Sequence, residues 1–243
     1  MAFGSRAVAR GKRLINYIAG RDVWSKPEVN VSSLRLGSIY GGWTICTEVG
    51  LGLNSVVFSV GVGEDISFDL SLIQKFGCKV LAFDPTPRSI DWLKTQNLPH
   101  QFQFFPWGLS GTDGLASFSA PANARHVSYS SVALKGSTVQ CEVFRLSTLM
   151  RKVGHERIDL LKMDIEGSEY TVIEDILTDN VRPRQLLTEF HHGMYGIARE
   201  KTAIALERLN TMGYRIFSIS PNGREYSFVL VSEREALKHP KAR

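Results

Sequence analysis

The 243-residue chain has few cysteines and no hydrophobic run long enough to cross a membrane. A membrane-spanning helix needs about 20 consecutive apolar residues, and no apolar stretch here approaches that length. The three cysteines (Cys46, Cys78 and Cys141) are an odd number, lie far apart and form no Cys-x-x-Cys pair. Their spacing gives no indication of a zinc site. We therefore predict reduced thiols and a cytoplasmic protein.

The chain carries only a modest excess of positive charge. The formal net charge is +5 and the sequence pI is about 9.2, which permits an acidic partner without identifying one. The basic residues are dispersed, and the chain lacks the Asn/Asp-Pro-Pro-Tyr/Phe motif of base-flipping methylases. We therefore expect no nucleic-acid substrate.

The N-terminal region differs in composition from the remainder. Residues 1–33 are predicted to form a basic extension, and residues 34–243 a single domain. Four cations lie among small and apolar residues, namely Arg6, Arg10, Lys12 and Arg13. A partly ordered tail is the first interpretation. An amphipathic helix with weak peripheral membrane contact, or a presequence, remains the alternative. The oligomeric state is left open.

The most informative stretch is residues 56–84. Residues 56–60 are apolar and predict a buried strand, and the turn that follows contains Gly61 and Gly63. A helix over 69–76 and a strand over 79–83 come next, and Asp84 ends that strand. Glycines allow the backbone to approach a ligand closely, and an acid about 20 residues later can accept hydrogen bonds from a ribose diol. The unit predicts binding of a nucleoside cofactor.

A second acidic group follows the strand predicted at 158–164. Asp164, Glu166 and Glu169 occur within six residues, where an acid can hold a cofactor ammonium, orient a substrate hydroxyl or bind a metal. Glu166 and Glu169 can alternatively begin the next helix, where acids complement the helix dipole. We prefer a site role for Asp164 and leave Glu169 open.

Two histidines follow the next predicted strand, 185–190. His191 and His192 are candidates for the general base, and His191 is preferred because Glu189 lies two residues before it. Both could also be loop histidines without chemistry. A further alternative is that Asp164, Glu189 and His191 bind Mg²⁺ or Mn²⁺.

Aromatic residues and one long polar stretch are the remaining candidates. Tyr40 and Trp43 flank two glycines and could cover a cofactor pocket or fill the edge of the core. Trp107, after a strand predicted at 101–105, could stack on a base or lie in the core. The polar residues 121–138 are a candidate substrate loop or a plain mobile loop.

The order of elements predicts a three-layer α/β fold of the Rossmann type. A mostly parallel seven-stranded sheet would carry helices on both faces, and the strands at 214–220 and 226–231 would form a C-terminal antiparallel hairpin. Dinucleotide dehydrogenases share the first half. The terminal hairpin favours a class I methyltransferase.

Four motifs resemble those of the FkbM-type methyltransferases. They are residues 59–63, 83–87, 107–110 and, most specifically, Lys-x-Asp-x-Glu-Gly-x-Glu at 162–169. The resemblance spans residues 37–231 and is nearest to the subgroup with a Tyr-Gly-Gly-Trp segment before the first strand. It implies S-adenosylmethionine as methyl donor and O-methylation of a sugar, glycan or other small hydroxyl compound. The implied cofactor contacts are Tyr40, Trp43, Ser59, Gly61, Gly63, Asp65, Asp84, Trp107, Gly108, Met163 and Asp164.

Two positions depart from the family pattern. Ser59 occupies a position where the family commonly has Asp, and Asp65 one where it has Gly. Ser59 would be a weaker anchor for the methionine ammonium, and Asp65 could replace it. A catalytically inactive binding module is therefore the main alternative. A nicotinamide-dependent oxidoreductase is disfavoured, because Ile66 stands where a third glycine would be expected.

Overall fold

The computed structural model describes residue 11 and residues 15–20, 22–119 and 138–231. The four N-terminal cations, residues 121–137 of the predicted substrate loop and the tail 233–243 lie outside this part. Within it, no helix has the length and apolar character needed to cross a membrane.

The secondary-structure elements follow the predicted alternation of strands and helices. In chain order they are β1 (Ser33–Leu36), β2 (Trp43–Cys46), β3 (Val56–Val60), α1 (Ser67–Phe76), β4 (Lys79–Phe83), α2 (Pro87–Leu93), β5 (Phe102–Phe105), β6 (Gly108–Leu109), β7 (Gly114–Ser119), β8 (Thr138–Phe144), α3 (Leu146–Val153), β9 (Leu160–Met163), α4 (Glu169–Asp179), β10 (Gln185–Glu189), α5 (Arg199–Thr211), β11 (Tyr214–Ile219) and β12 (Glu225–Leu230).

The main sheet has seven strands in the order β11-β12-β10-β9-β3-β4-β5. The pairs from β10 to β5 are parallel, and β12 is antiparallel to both of its neighbours. The sequence order reverses at β3, which lies between β4 and β9. The predicted Rossmann-like class I methyltransferase fold, with its terminal hairpin, is confirmed.

Two hydrophobic cores cover the two faces of this sheet. Phe58 and Leu161 point to the face packed by α3, α4 and α5, whereas Val57 and Leu160 point to the face packed by α1, α2 and β2. Successive residues of one strand therefore enter different cores. This explains why β3 and β9 are buried at every position, as strands of a parallel sheet covered on both sides are.

The segment before β3 differs from its predicted turn-rich form. β1 and β2 pair as an antiparallel ribbon, and the buried side chain of Gln185 fastens it to β10. The amide oxygen of Gln185 accepts the Cys46 N–H at 2.7 Å, and its amide nitrogen donates to the Cys46 carbonyl at 3.0 Å. The predicted loop after β5 also contains a short strand, β6, which pairs with β8.

A buried polar cluster of Lys162, Ser59 and Asp69 lies under the end of β3. The ammonium of Lys162 donates to the carbonyl oxygens of Val60 at 3.2 Å and Gly61 at 2.6 Å. Burial raises the pKa of Asp69 to about 6, against the opposing influence of Ser59 and Lys162. The Ser59 hydroxyl faces this carboxylate without a well-formed hydrogen bond.

Replacing the carboxyl of Asp69 by an amide should change how stability depends on pH. The pKa of Asp69 is raised from 3.8 in the folded protein, so the folded state holds its proton more tightly. The contribution of Asp69 to stability therefore falls as pH rises from about 4 to about 6. We expect Asp69→Asn to gain on the order of 2–3 kcal/mol relative to the parent protein between pH 4 and pH 7.

Urea unfolding at both pH values measures this difference. Asp91→Asn is the control, because it replaces the same kind of carboxyl by an amide at an exposed position on α2. A constant difference for Asp69→Asn would show that Asp69 titrates at its ordinary pKa.

Candidate functional site

The predicted site residues meet at the carboxyl ends of the central parallel strands. Gly61 and Gly63 follow β3, Asp84 follows β4, Asp164 follows β9 and His191 follows β10. Open α/β sheets bind ligands at this edge, next to the strand where the order reverses. The topology therefore brings together both acidic motifs and the glycine turn.

Gly61 and Gly63 differ in what a side chain would meet at their positions. Gly61 has φ +72°, and a Cβ there would lie 1.7 Å from the carbonyl oxygen of Asp164. Gly63 has φ +56°, but a Cβ at this position would meet no atom within 4 Å. Gly61 is thus required by the close approach of two strand ends, whereas Gly63 faces open space that a ligand can enter.

Asp84 connects the glycine turn to the loop after β4. Its Oδ2 accepts the Gly63 N–H at 3.0 Å, and its Oδ1 accepts the Thr86 N–H at 3.0 Å and the Thr86 hydroxyl at 2.6 Å. The residue is only 5% exposed. A carboxylate offers about four lone-pair sites, so a ribose diol would have to share or replace these bonds. The ribose-binding role of Asp84 stays a prediction.

Asp65 connects the segment before β2 to the start of α1. It accepts hydrogen bonds from the Ser38 hydroxyl at 2.7 Å and the Ser67 N–H at 2.9 Å. Burial alone would raise the pKa of Asp65, but these hydrogen bonds outweigh it and hold the pKa below its ordinary value. In this arrangement Asp65 is an ionised structural group, and a contact with the cofactor ammonium remains untested.

The Ser59 side chain does not point where an anchor for the cofactor ammonium would be expected to point. The residue is 0% exposed and points into the sheet face that contains Asp69. Side chains alternate between the two faces along a strand, and Ser59 belongs to the face under α1. Its hydroxyl therefore points into the sheet face under α1, and a contact with the cofactor stays a prediction.

Tyr40 and Trp43 differ in position, because Tyr40 is exposed and Trp43 is part of the core. Tyr40 is 79% exposed, and the pKa of its phenol is raised by partial burial of the hydroxyl and by the charges of Asp164, Glu189 and Glu166. The phenol is therefore within electrostatic range of the acids at the carboxyl ends of the strands. Trp43 is buried in the core, with the Lys162 ammonium 5.7 Å from its ring centre.

The residues predicted to surround an adenine have mainly protein neighbours. The Trp107 ring stacks on Phe105 with centroids 5.1 Å apart, and the Lys152 ammonium lies 4.5 Å from its centre. Gly108 is buried, and a Cβ there would lie 2.9 Å from a Val143 methyl group. Met163 is fully buried in the core. Packing accounts for these contacts, and adenine stacking on Trp107 stays a prediction.

His191 is enclosed by carboxylates. Its Nδ1 lies 2.6 Å from Oε1 of Glu169, which is fully buried. Its Nε2 lies 3.2 Å from Oε2 of Glu166 and 3.7 Å from Oδ1 of Asp164. The Tyr195 hydroxyl donates to the same Glu166 oxygen at 2.6 Å. Both ring nitrogens therefore have an acidic neighbour.

This environment changes the expected role of His191. Burial opposes the charged ring, but hydrogen bonds to Glu166 and Glu169 outweigh it and raise the pKa of His191 to about 11. A ring that is already protonated at neutral pH cannot accept a proton. The geometry thus disfavours the predicted general base at His191, at least while these carboxylates hold both nitrogens.

Both ring nitrogens of His192 also have protein partners. Its Nε2 lies 3.0 Å from Oδ1 of Asp22 and its Nδ1 lies 3.1 Å from the Thr202 hydroxyl, and the residue is buried. Burial lowers the pKa of His192. It links the segment before β1 to α5 and faces a cavity separate from the glycine turn, so the structure does not bring it to the acidic edge.

The possible metal ligands differ from the predicted trio by one residue. Glu166, rather than Glu189, joins Asp164 and His191, and the candidate ligand atoms of these three all lie within 4.8 Å of one another. Glu189 lies at the same edge, where burial and the nearby Asp164 raise its pKa to about 8. The sequence did not assign roles to Lys162 or Glu166, although both belong to the motif at 162–169.

The two glycines provide a matched test of the strand contact. Left-handed backbone costs an alanine about 1–2 kcal/mol, so we expect Gly63→Ala to lose about that much stability. Gly61→Ala should lose at least about 2 kcal/mol more, because its methyl group would collide with the Asp164 carbonyl and force the strand ends apart. Urea unfolding measures both. Equal losses would show that β3 and β9 end farther apart than described.

Comparisons with known proteins agree with this architecture. The sequence profile of the Methyltransferase FkbM domain matches residues 59–216. The probable methyltransferase-like protein 24 of Rattus norvegicus is 27% identical over 190 residues, which cover 74% of this chain and 47% of that protein. The protein of the same name from Homo sapiens is 25% identical over 191 residues, covering 74% of this chain and 46% of that protein.

A solved structure shows a further similarity. The crystal structure of methyltransferase FkbM from Methylobacillus flagellatus aligns with a TM-score of 0.47 at 13% identity, covering 74% of this chain and 44% of that one. The chain thus spans about half the length of the curated relatives it matches. Since the profile covers well over half of its residues, this chain belongs to the FkbM methyltransferase domain family.

Proposed function

We propose that this domain transfers a methyl group from S-adenosylmethionine to a hydroxyl oxygen of a small-molecule or glycan acceptor. The proposal is carried by one observation. The glycine turn after β3 contacts Asp84 on one side, through the Gly63 N–H, and Asp164 on the other, where Gly61 meets its carbonyl. A backbone turn between two acidic strand ends fits an elongated cationic nucleoside.

The residues present fit such a cofactor in shape and in charge. The space beside Gly63 is open, and the acids Asp164, Glu166 and Glu189 lie at the neighbouring edge. A bound cation would favour the charged forms of Asp164 and Glu189, whose pKa values burial raises. S-adenosylmethionine supplies its methyl group from a positively charged sulfur and also carries an ammonium. Because Ser59 is fully buried, we assign electrostatic complementarity to the acids at the edge rather than to Ser59.

Methyl transfer to oxygen requires alignment and the removal of one proton. The acceptor oxygen forms a bond to the methyl carbon, the carbon–sulfur pair moves to sulfur, and the hydroxyl proton passes to a base. Alignment supplies much of the rate in such a displacement. We assign the proton to Glu189, which lies at this edge and outside the hydrogen bonds that surround His191. Its pKa of about 8 is close to neutral pH, so the ionised fraction can accept the proton and the acid form can hold it.

The acceptor side of the site is less defined. Tyr40 projects over the acids and is placed to contact a bound acceptor. A sugar or glycan acceptor rests on the family resemblance, and the absence of a nucleic-acid substrate and a cytoplasmic location stay predictions. An inactive binding module with this fold remains the second candidate, because Asp84 and His191 are already held by protein groups.

Calorimetric titration tests the cofactor class. We expect S-adenosylmethionine and S-adenosylhomocysteine to bind in the micromolar range and NAD to give no heat. Release of S-adenosylhomocysteine with a sugar acceptor would then separate an enzyme from a binding module. Binding of NAD alone would overturn the proposal.

Asp84→Ala tests the predicted ribose contact. We expect S-adenosylhomocysteine binding to weaken by about 1–3 kcal/mol, the range for hydrogen bonds to a charged group. Asp91→Ala is the control, because Asp91 is exposed on α2, where it pairs with Lys94. Thermal unfolding monitors the loop bonds that Asp84 also makes. Unchanged affinity in a folded Asp84→Ala protein would remove this residue from the cofactor site.

A further inference from the structure

Three potential metal ligands converge beside the proposed methyl-donor pocket. They are Asp164 Oδ1, Glu166 Oε2 and His191 Nε2, and the nitrogen lies 3.7 and 3.2 Å from the two oxygens. Ligand atoms about 2.1 Å from an octahedral ion are about 3.0 Å apart when they are adjacent. The observed separations are therefore close to those of a site that holds one divalent ion.

The orientation of His191 is that of a metal ligand. Its Nδ1 bonds to Glu169, whose oxygen also accepts the Gly167 N–H at 3.1 Å. Glu169 is fully buried, so the ring is fixed with Nε2 directed at the other two carboxylates. Metal-bound histidines almost always donate their second nitrogen to such a carboxylate or carbonyl group. A simple ion pair with Glu169 would not require two further acids at Nε2.

One oxygen of Asp164 has no hydrogen bond within the described part of the chain, and Glu166 has a strained backbone. Oδ1 of Asp164 is buried, and it forms no hydrogen bond within the described part of the chain. A buried oxygen in this state is unfavourable, because it has lost its hydrogen bonds to water without replacing them. Glu166 has φ +52°, a left-handed conformation that is unfavourable for a residue with a side chain. The Tyr195 hydroxyl fixes the Glu166 carboxylate in this strained position.

We propose that Asp164, Glu166 and His191 bind a divalent cation, Mn²⁺ or Mg²⁺. Two carboxylates and one imidazole are ligands that suit these ions, and they leave coordination positions open toward the edge of the sheet. The cation would neutralise part of the charge of the surrounding acids. Glu166 takes the place that the sequence had given to Glu189.

The role of the cation rests on the proposed methyl transfer, but its binding does not. An open coordination position beside Glu189 and Tyr40 can hold the acceptor oxygen and lower the pKa of its hydroxyl. This would orient the oxygen toward the methyl donor at the glycine turn. In this arrangement the cation would displace the proton from Nε2 of His191, which becomes a ligand, and Glu189 remains outside the coordination sphere.

Mn²⁺ binding to the full chain tests the site directly. The protein is freed of metal with a chelator, and free Mn²⁺ is then measured by electron paramagnetic resonance during titration at neutral pH. We expect one Mn²⁺ per chain with micromolar affinity. Asp164→Asn and Glu166→Gln should each weaken binding by at least about tenfold. Glu189→Gln is the matched control and should change affinity by less than about threefold.

Each outcome decides between the alternatives. Circular dichroism verifies the fold of every variant, and competition with Mg²⁺ tests the second ion. No Mn²⁺ binding to the folded parent protein, or binding that Asp164→Asn and Glu166→Gln leave unchanged, would overturn the metal site. S-adenosylhomocysteine titrated in parallel separates the two proposals. Its binding without Mn²⁺ binding would leave methyl transfer standing, and the reverse result would leave only the cation site.

Discussion

The ammonium of Lys162 holds the ends of the two central strands together. It extends from β9 and donates to the carbonyl oxygens of Val60 and Gly61, which end β3. The Val60 carbonyl also accepts the Asp164 N–H at 3.1 Å, so the ammonium adds a second bond there and reaches beyond the strand to Gly61 in the glycine turn. A buried charge is tolerated only when it is paired and hydrogen-bonded. Lys162 meets that condition and thereby fixes the turn.

The same cation makes an acid-rich edge possible. Its charge acts on Asp69 beneath the turn and on Asp164 and Glu225 beside it, lowering the pKa of each carboxyl against the effect of burial. Without it, the acids at the strand ends would repel one another more strongly. The charge of the candidate site and the shape of the glycine turn therefore both depend on Lys162.

The sequence predicts the fold well because its signals are local and strong. β3 and β4 were placed at their observed residues, since a strand covered on both faces is a continuous apolar run. The ribbon of β1 and β2 was missed. Its strands are short, lie among glycines and are fastened by Gln185, a residue far along the chain.

The sequence predicts where the candidate site lies on the sheet, but it predicts only some of the contacts within it. Asp164 and His191 do meet at one edge, because parallel strands bring their carboxyl ends together. The state of His191 depends on Glu166 and Glu169 in another segment, which no local pattern reveals. Ser59 points to the face of β3 that α1 covers, and the packing of α1 is needed to show which face that is.

The ribbon before β3 has a consequence for the speed of access to the site. Gln185 fastens it at Cys46, and Asp65 and Ser67 fasten it near its turn through Ser38. The backbone is therefore held on both sides of Tyr40, and only the exposed side chain is left to move over the acids. Rotation of an exposed side chain takes picoseconds to nanoseconds, whereas loop opening takes far longer. Ligand exchange at this entrance would thus be limited by other steps.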